Sequence, residues 1–141
     1  MTAVTDNALG LLGLARRGGN LIMGEEAVAD ACELKKARVV FLAEDAGETT
    51  CRRALRMTGA NEIPLVPVSW TKAELGFQLG RGSCALAALT DQGLAAAVVS
   101  RLAEQDESLR DLADEMAEKN RRLKSRAKKK KTPAGKKPVQ R

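Results

Sequence analysis

Two runs of this chain, ARVVFLAED at residues 37–45 and CALAALTD at residues 84–91, hold consecutive apolar residues with no polar side chain interleaved. A strand with one wet face alternates apolar and polar positions, so an uninterrupted apolar run marks a strand covered on both faces. That requirement limits the chain to a sheet carrying layers on both sides. The segments around these runs have helical period. From Thr5, an N-cap candidate, Ala8, Leu11, Leu12 and Ala15 share one face, and Gly18 and Gly19 end the helix. Gly24 opens a second helix with Ala27, Val28, Ala31, Cys32 and Lys35 in period, and a third places Thr50, Ala54, Leu55 and Thr58 together before Gly59. Thr71 caps a short helix with Glu74 at the capping-box position, and Asp91 caps another. Asn20 to Met23 is a short apolar piece. Ile63 to Ser69 reads as a short strand whose prolines, Pro64 and Pro67, suit a sheet edge. Strands alternating with helices predict an α/β fold, a three-layer α/β/α sandwich.

No Gly or Pro interrupts the chain between Gly93 and Pro133, which predicts one long helix running past the compact domain. Leu102, Leu109, Leu112, Met116 and Leu123 form a heptad-like seam on it. Two readings of that seam stay open: a stripe packed on its own domain, or a surface for self-association or a partner helix. The expected organisation is a domain over residues 1–100, a helical extension over 101–126 and a disordered basic tail over 127–141.

Charge also separates along the chain, with the division inside the helical extension. Residues 121–141 hold 11 of the 24 Lys and Arg residues and no acid, while residues 1–120 carry the other 13 against 18 acidic groups, a balance of −5. The basic character of the protein belongs to its end. A domain without net positive charge cannot grip a polyanion by attraction alone, so selectivity for RNA there must come from shape and hydrogen bonding. Lys128, Lys129, Lys130, Lys131, Lys136 and Lys137 are expected to supply generic attraction to RNA.

Catalysis is not expected. The chain has no histidine, which removes the usual general base and the commonest zinc ligand, and it shows no nucleotide- or metal-binding motif. No catalytic residue, cofactor or metal is predicted. Cys32, Cys51 and Cys84 are odd in number and set among aliphatic residues, the pattern of reduced core thiols. No apolar run is long enough to span a membrane, and the first arginines follow the first apolar stretch, the reverse of a secretory signal. A cytoplasmic protein is expected, with no membrane partner.

Three segments, LLGLARRGGNLIMGEEAV, VVFLAEDAGETT and VPVSWTKAELGFQLGRGSCALAALTDQG, together resemble the ribosomal protein L-seven-Ae superfamily of kink-turn RNA-binding proteins, most closely its bacterial YlxQ-like branch. The resemblance spans residues 9–93 and does not cover 101–141. It implies a mixed four-stranded sheet and an RNA site at the start of the second helix, in the loop after the following strand and in the loop before the last strand. Residue by residue, the family motif falls on Gly24, Glu25 and Glu26, with Glu26 as the family carboxylate. Asp45 matches the second contact loop, Lys72 a phosphate-reaching lysine, and Arg81, Gly82, Ser83 and Cys84 the variable loop that encloses an extruded nucleotide.

The implied chemistry is coherent. Sheared G·A pairs leave guanine edges open, and a carboxylate accepts from guanine N–H groups. Glycine permits close backbone approach, and the unpaired N–H groups of a helix start meet phosphate. The sequence departs from the kink-turn pattern twice: Glu25 stands where Asn or Lys is usual, and Ala29 where a lysine follows the family glutamate by one turn. The resulting expectation is a noncatalytic RNA-binding protein for a kink-turn-like or internally looped RNA, including ribosomal RNA, and associated with the ribosome. The rival expectation is a protein-interaction adaptor that uses the amphipathic C-terminal helix and a nonspecific RNA-binding tail.

Overall fold

A computed structural model describes residues 3–131. In chain order the elements are α1 (Ala3–Arg17), β1 (Leu21–Met23), α2 (Glu25–Glu33), β2 (Val39–Leu42), α3 (Glu48–Ala60), β3 (Leu65–Pro67), α4 (Lys72–Gln78), β4 (Leu86–Leu89), α5 (Gln92–Ala103), a 3₁₀ turn (Glu107–Leu109) and α6 (Arg110–Lys131). The strands form one mixed sheet in the order β1-β4-β2-β3, with β2 and β3 parallel and the other pairs antiparallel. β3 is an edge strand, where Pro67 removes no ladder bond that a neighbour needs.

Both continuous apolar runs are central strands, and the structure shows why neither alternates. Val39, Phe41, Ala87 and Leu89 point into one core, with α1, α4, α5 and α6; Val40, Leu42, Leu86 and Ala88 point into a second, with α2 and α3. Each strand therefore divides its side chains between two dry layers, and all eight of these residues are buried. At about 1.5–3 kcal/mol per fully buried Val, Leu or Phe, these short strands anchor both cores. The chain's one Trp, Trp70, lies wholly inside the larger core.

The caps at Thr71 and Asp91 form as expected: Glu74 N donates to Thr71 Oγ1 at 3.1 Å with the reciprocal bond present, and Leu94 N donates to Asp91 Oδ2 at 2.9 Å. Other expectations are corrected. α1 begins at Ala3, upstream of Thr5. Gly59 lies inside α3, which runs to Ala60 with Asn61 as its C-cap. Ala27, Lys35 and Leu55 are exposed, because only the narrower stripes Val28–Ala31–Cys32 and Ala54–Thr58 reach the core.

The predicted single long helix is two helices. The Asp106 carboxylate accepts from Ser108 N at 3.1 Å and Ser108 Oγ at 2.6 Å, a local bond that competes with continued helix and turns the chain without Gly or Pro. The turn folds α6 back along α5. Ala113 and Met116 are buried, Leu102, Leu109 and Leu112 pack against the same core, and Gln92 Nε2 donates to Met116 O at 3.1 Å. Most of the heptad-like seam is thus occupied by the chain's own domain. The helical backbone continues to Lys131, inside the segment expected to be disordered. Lys136, Lys137 and the remainder of 132–141 lie outside the described residues.

Candidate nucleic-acid interface

β4 runs against β1 and β2, so its start lies beside their ends: Met23 pairs with Ala87, and Leu42 with Leu86 and Pro67. This register brings Gly24–Glu26, Asp45, Lys72 and Arg81–Cys84 to one end of the sheet. Backbone bonds lace the loops together. Gly24 N donates to Leu86 O at 3.1 Å, Ala43 N to Ala85 O at 2.9 Å and Cys84 N to Lys72 O at 3.0 Å.

Gly24 has φ 96 and ψ 151, a conformation that only glycine holds without strain, and it turns the chain from β1 directly into α2. No side chain caps that helix start. Glu25 and Glu26, adjacent in sequence, behave differently. Glu25 is half-buried, and its carboxylate accepts from Thr50 Oγ1 at 2.7 Å and from an Arg53 guanidinium nitrogen at 2.8 Å, both on α3. Glu26 is exposed and forms no ion pair among the described residues. Its oxygens are available as acceptors.

Asp45 and Lys72 meet, although not as an ion pair: Asp45 Oδ1 accepts from the backbone N–H of Lys72 at 2.7 Å. The carboxylate thus ties the loop after β2 to the start of α4. In the loop before β4, Arg81, Gly82 and Ser83 are exposed while Cys84 is turned inward, its Sγ donating to Leu86 O at 3.2 Å. Burial pushes the Cys84 thiol up, against opposing contributions from Arg81 and from backbone hydrogen bonds. The loop packs so closely on α4 that only glycine fits at position 76, where a Cβ would stand 2.7 Å from Ser83 Cα and N.

Sequence reasoning did not find Thr50 and Arg53, which reach the site from a helix whose pattern only marks it as amphipathic. Nor did it find Phe77, which is 86% exposed on α4, between Lys72 and Arg81, while the other aromatic residues, Phe41 and Trp70, are fully buried. The combination of low aromatic content with a helical position off the buried stripe was the available signal. Arg16 stands against Gly80, near this end. Arg38 does not: its N–H donates to Leu89 O, at the opposite end of β2. There a cavity of about 630 Å³ is lined by Arg38, Lys119 and Arg122 together with Glu62, Asp114, Glu115 and Glu118. Its lining sets three cations against four carboxylates, and it shares no residue with the candidate interface. No group of residues suited to a metal ion occurs among the described residues.

The sequence profile of the ribosomal protein L7Ae/L30e/S12e/Gadd45 family matches residues 6–99. The RNA-binding protein YlxQ of Bacillus subtilis is 33% identical over 92 residues, covering 65% of this chain and 91% of the relative. The YlxQ of Enterococcus faecium is 35% identical over 74 residues, 52% of this chain and 71% of the relative. Among solved structures, a Bacillus halodurans protein of unknown function superposes with a TM-score of 0.63 at 31% identity, over 67% of this chain and 94% of its own. The Giardia lamblia 15.5kD RNA binding protein shares the fold with a TM-score of 0.60 at 18% identity, over 77% and 92%. The chain belongs to the ribosomal protein L7Ae/L30e/S12e/Gadd45 family, in its bacterial YlxQ-like branch.

Proposed function

We propose that this protein is a noncatalytic RNA-binding protein that recognises a kink-turn-like or internally looped structured RNA, and that it works in the cytoplasm on ribosomal RNA. The observation that carries the reading is the convergence of Gly24–Glu26, Asp45–Lys72 and Arg81–Ser83 on one end of the sheet, held by backbone bonds. The names of the YlxQ relatives and the ribosomal character of the family support it.

Each part has a chemical task. Glu26, exposed and without an ion pair among the described residues, accepts from the N–H groups of an open guanine edge. The first N–H groups of α2, uncapped by any side chain, face phosphate. Lys72 and Arg81 add positive charge, and Phe77 offers a face on which an unpaired base stacks. The lysines at 128–131, 136 and 137 contribute attraction without sequence choice.

Filter binding with a kink-turn RNA and a control in which its G·A pairs are disrupted tests this reading. The intact chain is expected to prefer the kink-turn, and Glu26→Ala to lose about tenfold in affinity for that RNA while changing little on the control. Equal binding of both RNAs by the intact chain would overturn it.

A further inference from the structure

Arg53 is the unexpected member of this end of the molecule. It belongs to α3, yet its guanidinium is held 2.8 Å from the Glu25 carboxylate at the start of α2, and Thr50 Oγ1 fixes the other oxygen of that carboxylate at 2.7 Å. Neither partner is enclosed: the Arg53 side chain is 39% exposed and that of Glu25 is 32% exposed. A guanidinium has five N–H donors, and Glu25 engages one nitrogen, so donors remain on the open side. Arg53 also lines a shallow cavity with Ala29, Glu33, Arg56 and Met57. Arg53 and Ala29 therefore border the same groove.

We propose that Arg53 is a phosphate-contacting residue of the RNA interface and that Glu25 is the residue that positions it; the inference rests on the RNA-binding reading above. Two adjacent carboxylates facing a polyanion would repel it. Arg53 neutralises Glu25, leaves Glu26 as the acceptor, and presents its remaining donors beside the uncapped start of α2. The two departures from the kink-turn pattern are then one coupled change: Glu25 is a holder for an arginine from α3, and that arginine takes the place of the cation missing at Ala29.

The test uses the full chain and a kink-turn RNA, with affinity measured over a salt series. Arg53→Ala is expected to bind about 5- to 20-fold more weakly and to flatten the slope of log affinity against log salt by roughly 0.9, the signature of one lost duplex phosphate contact. Adding Ala29→Lys to Arg53→Ala should restore most of that slope, because the ammonium enters the same groove. Glu25→Ala should weaken binding when Arg53 is present and strengthen it in the Arg53→Ala background, where only repulsion is removed. Thermal melts followed through Trp70 identify any variant that unfolds, and Arg53→Gln then replaces Arg53→Ala. The proposal falls if Arg53→Ala lowers the melting temperature but leaves the salt slope intact, or if it changes neither while the intact chain still prefers the kink-turn. Loss of that preference in the intact chain instead removes the parent reading.

Discussion

The two ends of the sheet are built from the same four strands but are finished in different ways. At one end the loops stay open to solvent and are tied to one another by one or two hydrogen bonds each: Gly24 to Leu86, Asp45 to Lys72, Cys84 to Lys72 and Glu25 to Thr50 and Arg53 of α3. At the other, α6 packs along α5, with Met116 buried to 4% exposure and Asn120 beside Gly93. The open end keeps Glu26 without an ion pair among the described residues, and Arg81 is exposed there. The closed end pairs its charges locally, as between Arg121 and Glu118, whose carboxyl is held below its usual range by that arginine. The proposed recognition chemistry and the completion of the core thus occupy opposite poles.

Variants at each pole can break that contrast. The largest effect is expected at the closed pole, where Met116→Ala removes a buried side chain: the unfolding free energy should fall by about 2–5 kcal/mol while RNA preference is unchanged in the folded protein. Denaturant unfolding followed by Trp70 emission measures the first quantity and competition binding the second. A changed preference would mean the poles are coupled. At the open pole, Gly76→Ala drives a methyl group into the Ser83 backbone and should cost about 1–3 kcal/mol, with loss of RNA preference as the loop shifts. Asp45→Ala, which removes the bond to Lys72 N, should cost about 1 kcal/mol in the same unfolding assay. The smallest effect is a reporter. Burial pushes the Cys32 and Cys84 thiols up, so at neutral pH fewer of them are thiolate and alkylation should reach half-buried Cys51 first. In Gly76→Ala, faster labelling of Cys84 but not Cys32 would localise the disturbance to the open pole.

The fold was legible because its signals are local. Two unbroken apolar runs, the Thr71 capping box and the Asp91 cap each specify structure within a few residues. The break between α5 and α6 was not legible, since it depends on an Asp106–Ser108 contact and on how well Ala113 and Met116 fill a core formed by distant segments. The candidate site divides in the same manner. Gly24, Asp45 and the loop at 81–84 could be placed by resemblance, but the grip of Thr50 and Arg53 on Glu25 joins helices whose bonded residues lie 25 and 28 positions apart in the chain.

The central claim is that RNA choice resides at the open pole and generic attraction in the basic end. It is tested most directly by changing Lys128, Lys129, Lys130, Lys131, Lys136 and Lys137 to Gln in the full chain and measuring affinity for the kink-turn RNA and its disrupted control at two salt concentrations. Both affinities should fall, and their salt dependence should flatten by up to about 0.7–0.9 per lost contact, with the ratio between the two RNAs preserved. A ratio that collapses to one when the lysines are neutralised would contradict the account.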